Sequence, residues 1–283
     1  MAIQKGTTQP EVALQSFDHE EKVAGDGLFG HGPLAHMRTN DQSAYSCFEA
    51  FGGEMQPGLY RSVEQRKFAN PAPLGLSAFA LTTFVLSLIN LEVRNLGVPS
   101  IIISLAFSYG GLVQLLAGMW EMAIGNTFGA TALSSYGGFW ISFAIILTPG
   151  GFQIEETVKE AAGQDAWLTS IGFFLMGWFV FTTILFICTL KSTVAFCSLF
   201  FMLDVALLML GCAYLYPQNG APQKDLMHAG GVFGIITAFL AWYNAFAGIA
   251  DTSNSFFIVP VAHFPWSEKG RKMRRGNGDG GAV

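Results

Sequence analysis

Six apolar runs, each close to the length of a membrane crossing, constrain this chain more than any other feature. They fall at about 73–91, 98–120, 128–149, 167–190, 193–216 and 229–250. About 20 apolar residues are what a helix needs to cross roughly 30 Å of hydrocarbon, and a helix satisfies all of its own backbone there. The pattern predicts an all-α membrane protein with six transmembrane helices. The fourth and fifth runs are separated by little more than Lys191, so they are expected to form a tight hairpin.

Charge supports the same reading. Only 12% of the 283 residues are charged, against about 25% in a soluble domain, too few to clothe a water-facing surface. Between Leu74 and Ala250 the charges are also segregated. Glu92 and Arg94 follow the first run, and Glu155, Glu156, Lys159, Glu160 and Asp165 lie between the third and fourth. Lys191 sits in the hairpin turn, and Lys224 and Asp225 precede the sixth run. Glu121 closes the second run, and Asp204 alone lies well inside a run.

Lysine and arginine distribution sets the orientation. Arg61, Arg66 and Lys67 precede the first span, Lys191 lies in the fourth-to-fifth turn, and Lys269, Arg271, Lys272, Arg274 and Arg275 follow the last. An even number of spans puts all three groups on one side, so both termini are expected in the cytosol. Residues 1–69 are polar and without periodicity, which predicts a disordered cytosolic tail. Residues 70–260 form the expected transport domain and 261–283 a basic cytosolic tail able to touch anionic lipid. No cleavable signal peptide is expected, and the first span then serves as the insertion signal.

Several chemistries find no support. Cys47, Cys188, Cys197 and Cys212 have neither a disulfide nor a zinc pattern, and three of them lie in apolar runs. No phosphate-cradling loop and no nucleophile–base arrangement is present. The chain reads as no enzyme, with no cofactor, no metal and no nucleic-acid partner.

Polar residues within the spans are the candidate functional groups. Ser100, Ser104, Ser108, Gly111, Gln114 and Gly118 share one face on a 3.6-residue period, a pattern that suits close helix packing. Asn90, Gln114 and Asn244 are amides within or at the ends of spans, and Thr82 and Thr83 lie one turn beyond Phe79. Such groups need either a neighbouring helix or a hydrated path. Asp204 is a possible proton site by the same argument, with a hydrogen-bonded packing role as its alternative.

"NPAPLGLSAF" marks the start of the first span. Asn70 suits an N-cap, and Pro71 and Pro73 occupy first-turn positions where a missing N–H costs nothing. Together with "FSYGGLVQLLAGMWEMAIGNTFGATALSSYGGFW", "CTLKSTVAF" and "AWYNAFAG", this stretch resembles the acetate uptake transporter family, across about Asn70 to Pro260. The long N-terminal tail and "LKSTVAF" resemble its fungal branch. The resemblance implies a six-helix protomer, assembled as a hexamer in the plasma membrane, with a pore through each protomer. It implies transport of acetate, with propionate, formate and succinate as further candidates, by proton coupling or a channel-like route. The implied pore constriction is Phe79, Tyr136 and Leu203, whose phenol offers one hydrogen bond to a carboxylate. Asn70, Thr82, Thr83, Gln114, Glu121, Asn126 and Asn244 are the candidate pore-lining residues around it. The resemblance also covers ammonia-export permeases, so ammonia or ammonium export is an alternative function. A non-transporting acetate sensor is a second alternative.

Overall fold

A computed structural model describes residues 69–271. Residues 1–68 of the polar tail expected over 1–69, and the basic tail from residue 272 onward, lie outside the described residues. Six helices within the described chain are long and apolar enough to cross a membrane. They are α1 (Ala72–Asn90), a composite second crossing (Pro99–Ala123), α4 (Thr127–Leu147), α6 (Gln164–Thr189), α7 (Val194–Leu215) and α8 (Lys224–Ile249).

Helix α1 starts as its sequence dictates. The Asn70 Oδ1 accepts from the Ala72 amide at 3.2 Å, and Pro71 already has helical backbone angles of −81° and −20°. Two first-turn prolines remove donors that no preceding carbonyl could have met. Asn126 caps α4 by accepting from the Gly129 amide at 3.0 Å, and Thr193 caps α7 by accepting from the Phe196 amide at 3.2 Å.

The second crossing is not one continuous α-helix. A 3-10 turn leads into α2 (Ile102–Phe107), a π-helical segment covers Ser108–Val113, and α3 (Gln114–Ala123) completes it. A π turn closes i→i+5 and so rotates every later side chain relative to an α register. The serine–glycine–glutamine face expected from a regular period is therefore split. Ser104 and Ser108 are exposed and bond back to carbonyls of their own helix, whereas Gln114 and Gly118 are buried.

Two further departures lie outside the hydrocarbon. The acidic stretch between the third and fourth crossings folds into a short amphipathic helix, α5 (Ile154–Ala162), with a Glu155–Lys159 ion pair one turn apart. Gly163, at φ 89°, then turns the chain into α6. Helix α8 begins at Lys224, five residues before its apolar run. The Lys224 ammonium reaches Glu92 at 2.5 Å and the Gln223 amide reaches the Ala213 carbonyl at 2.9 Å, which fixes that polar turn.

The segment after α8 folds back onto the α6–α7 hairpin. The Val194 amide donates to the Ala262 carbonyl at 2.9 Å, and the Trp266 indole donates to the Leu190 carbonyl at 2.8 Å. Val259 packs against Ala247 and Ala250. The ordered packing thus continues beyond Pro260, the limit expected for the transport domain.

Helix α1 packs against α8 on one side and α3 on the other, α8 packs on α7, α7 on α6, and α3 on α4. The circuit closes between α4 and α6 through side chains. Phe139 stacks on Phe174 at 5.7 Å and meets Trp178 at 5.2 Å, while Tyr136 meets Trp178 at 6.1 Å and Phe181 at 6.0 Å. At the α3–α4 crossing, Gly118 lies against the Ser134 backbone, and a Cβ on Gly137 would stand 2.7 Å from the Leu115 backbone nitrogen. Gly137→Ala is expected to lower protomer stability by about 1–3 kcal/mol, because backbone cannot yield as a flexible side chain does. Gly138→Ala, where an added Cβ meets nothing within 4 Å, is the matched control. Thermal unfolding in mild detergent distinguishes the two, and equal melting temperatures would contradict this packing.

Candidate functional site

Two cavities lie within the bundle. One, of about 730 Å³, is lined by the later halves of α1, α4 and α7, including Thr83, Ser87, Trp140, Phe143, Leu207 and Leu210. The other, of about 490 Å³, is lined by the earlier halves of the same helices, including Ala72, Leu76, Phe128 and Leu199, together with Gln114. Helices α1, α4 and α7 are alternate crossings and run in the same direction, so the cavities are stacked along the bundle.

Phe79, Tyr136 and Leu203 line both cavities, and among the described residues no other does. One side chain from each of the three parallel helices thus forms a septum between the chambers. All three are buried, and the Phe79 and Tyr136 ring centroids stand 5.8 Å apart with the rings tilted at 47°. Tyr136 is further held by Phe200 on α7 at 6.4 Å. Aromatic rings in such tilted contacts are fixed in orientation as well as in place.

The Tyr136 hydroxyl is not left free for a carboxylate. It lies 2.8 Å from the Thr182 Oγ1 of α6, in a hydrogen bond that either group can donate. Thr182 is fully buried and was not among the candidates from sequence. One threonine of a "TT" pair in an apolar helix carries no local sign of function; its importance arises only where α6 meets α4.

The other candidates divide. Thr83 lines the larger cavity, and Gln114 and Asn126 line the smaller. Thr82 bonds to the Ala78 carbonyl at 2.8 Å and fills the notch opposite Gly110, so it packs α1 against the π segment. Asn70 caps α1, and Asn244 donates to the Leu240 carbonyl at 2.7 Å; neither lines these two cavities. Glu121 is fully buried at the end of α3 and accepts from the Asn126 Nδ2 at 2.6 Å, joining the α3 end to the α4 start.

Asp204 lies about 100° around α7 from Leu203 and lines neither chamber. Its carboxyl is half-buried and lies 2.9 and 3.2 Å from the Thr183 Oγ1 of α6. Adjacent threonines of α6 thus serve two different residues: Thr182 reaches the septum, and Thr183 meets the acid on the helix flank.

Six apolar helices packed around two stacked cavities define a multi-pass membrane protein. The chain belongs to the GPR1/FUN34/yaaH family, whose sequence model matches residues 51–266. It is 64% identical over 248 residues to "Acetate permease A" of Emericella nidulans, covering 87% of this chain and 82% of that protein. It is 49% identical over 222 residues to "Ammonia transport outward protein 2" of Saccharomyces cerevisiae, covering 78% and 76%. The bacterial protein SatP matches in sequence and in structure. The "Succinate-acetate/proton symporter SatP" of Escherichia coli is 35% identical over 198 residues, covering 69% of this chain and 96% of that one. A solved "Structure of the bacterial acetate channel SatP" superposes with a TM-score of 0.57 at 33% identity, covering 69% of this chain and all of that one.

The Tyr136–Thr182 bond has a direct test. Thr182→Val keeps the volume and removes the hydroxyl, leaving a buried phenol without its partner, a loss of about 1–3 kcal/mol. Thr182→Ser restores the hydroxyl and should recover most of that. Unfolding in detergent that fails to separate valine from serine would show that the bond does not hold the septum.

Proposed function

We propose that this protein carries acetate and other short-chain monocarboxylates across a membrane through the two-chambered path in each protomer. The observation that carries this reading is the three-residue septum. An apolar constriction of two rings and a leucine excludes hydrated inorganic ions, which lose more by shedding water than the site returns. A short carboxylate has an apolar end that tolerates such contact and a single charge to be met on either side. Relatives named as an acetate permease and as a succinate-acetate/proton symporter support this substrate class and a coupling to protons.

The basic residues around Lys191 and Lys269–Arg271 support a reading in which that end of the bundle faces the cytosol of a plasma-membrane protein, with both termini inside. A half-buried Asp204 in mid-span calls for further cover, which a neighbouring protomer of a hexamer would supply. In this reading Asp204 serves helix contact, not proton coupling.

Purified protein in liposomes should take up labelled acetate with saturation, competed by propionate. Phe79→Ala and Leu203→Ala should widen the septum and admit lactate or succinate, while Asp204→Asn keeps the wild-type acetate flux and its pH profile. Unchanged selectivity in both alanine variants would place the narrow point elsewhere. The relative named for outward ammonia transport gives a second reading. Methylammonium flux without acetate flux would favour it.

A further inference from the structure

The chain beyond α8 carries apolar side chains on its outside. Phe256 is fully exposed, Phe257 60% and Ile258 55%, side by side at the tip of residues 251–271. Exposed apolar clusters mark contact surfaces, and their position decides what they meet.

The backbone on both sides of that tip is fixed. The Asp251 carboxylate accepts from the Ser253 amide at 2.8 Å. The Asn254 side chain accepts from the Asp251 amide at 3.0 Å and donates to the Ile249 carbonyl at 2.9 Å. After the tip, Val259 is buried on Ala247 and Ala250, and the Pro260 carbonyl accepts from the Tyr243 hydroxyl. The chain therefore returns alongside the last turns of α8. The Phe257 ring meets Phe246 edge-on, with centroids 6.0 Å apart, about one turn before α8 ends.

Depth follows from these contacts. Helix α8 is one of the six crossings, and Phe239, Tyr243, Phe246 and Ile249 form an exposed stripe along it at spacings of three and four. Beside Phe246, Phe257 extends that stripe at the level where hydrocarbon gives way to headgroups. Tyr243 and the exposed Trp266 lie at the same end of the bundle, each with its polar atom turned to a backbone carbonyl. Such rings favour the membrane boundary, being apolar over most of their surface and polar at one end.

Charge completes the surface. Lys191 follows Leu190, whose carbonyl holds the Trp266 indole at 2.8 Å. Lys269 and Arg271 follow Trp266 in a helical turn that Ser267 opens, its hydroxyl accepting from the Gly270 amide at 3.1 Å. In sequence, Lys272, Arg274 and Arg275 continue the run, and Glu268 is the single acid within it.

We propose that residues 251–271 form a lipid-anchored clamp on the α6–α7 hairpin. Phe256, Phe257 and Ile258 enter the acyl chains of the leaflet on the side where α1 begins, and Lys191, Lys269 and Arg271 bind anionic phospholipid headgroups there. In the orientation proposed above this is the cytosolic leaflet, and that assignment alone rests on that reading. A phospholipid fits both features because it presents acyl chains and a negative group within one layer. The clamp reaches the hairpin at two points. The Ala262 carbonyl accepts from the Val194 amide, the first of α7, at 2.9 Å, and Trp266 meets Leu190 just after α6. Thr189, Ser192 and Thr193 are buried in that turn. A lipid that holds the clamp in place thus steadies the start of α7, which carries Phe196, Leu199 and Phe200 to the smaller cavity.

The test uses the full-length protein. Phe257→Cys, in a background freed of the native cysteines, is labelled with an environment-sensitive fluorophore in phosphatidylcholine vesicles that contain spin-labelled phospholipid. A spin label high on the acyl chain should quench it strongly, and one at the chain end weakly. The fully exposed Phe256→Cys is a second position if the first disturbs the Phe246 contact. Quenching by neither lipid would overturn the insertion, and cross-links from these cysteines to a second protomer would then assign the surface to a neighbouring copy. In mild detergent, phosphatidylserine should raise the melting temperature more than phosphatidylcholine does. Each basic residue at an anionic surface strengthens binding about fivefold, so Lys269→Gln with Arg271→Gln should require roughly 25-fold more phosphatidylserine for the same rise. Trp266→Phe should keep the quenching and lose the rise, because it cuts only the link to the hairpin. An equal rise with both lipids, or a full rise in the double variant, would overturn the headgroup site. A full rise in Trp266→Phe would overturn the coupling to the hairpin. Neither readout involves transport, so this inference and the transport reading stand or fall separately.

Discussion

Every polar group that enters hydrocarbon must find its partner within the protein, because the surrounding lipid offers none. The rest of the architecture follows from how this chain meets that demand. Backbone groups are satisfied by helices with capped starts at Asn70, Asn126 and Thr193. Hydroxyls on the crossings mostly return to their own carbonyls. Glycines at the α3–α4 crossing bring two helices to backbone contact, so that dispersion and close packing replace a hydrophobic drive that is absent in lipid.

Against that background, the centre of the protomer is distinctive. Tyr136 stands where α4, α6 and α7 converge, with its ring against Phe79, Trp178, Phe181 and Phe200 and its hydroxyl on Thr182. One side chain thus joins the α4–α6 wall and lies between the two cavities. Its phenol is satisfied by a threonine, which fixes the orientation of the ring between the two cavities. A barrier made of apolar side chains and held by one internal hydrogen bond is rigid without being charged. That combination suits a small solute with one apolar face.

The six crossings were legible in the sequence because run length and charge segregation are set by the bilayer, not by tertiary detail. Family resemblance singled out Phe79, Tyr136 and Leu203, and the structure brings all three together between the two cavities. Periodicity failed at the second crossing, where "SYGG" forms a π segment that no 3.6-residue count anticipates. Helix α5 was hidden because a short amphipathic helix among acidic residues reads as a loop. Thr182 and the relation of Asp204 to Thr183 were invisible, since adjacent threonines look alike until α4 and α7 are placed on either side of them. The identity of a pore-facing residue depends on helix rotation, which local sequence constrains weakly.

In the proposed transport path the septum alone separates two chambers, each open toward a different side of the membrane. Single cysteines at Leu210, in the larger chamber, and Leu199, in the smaller, test it in a background freed of the four native cysteines. In oriented liposomes a small membrane-impermeant thiol reagent should label Leu210→Cys only from the side on which α8 begins. It should label Leu199→Cys only from the side on which α1 begins, and the Phe79→Ala change should let each be reached from both sides. Labelling of both cysteines from one side with Phe79 intact would contradict the account.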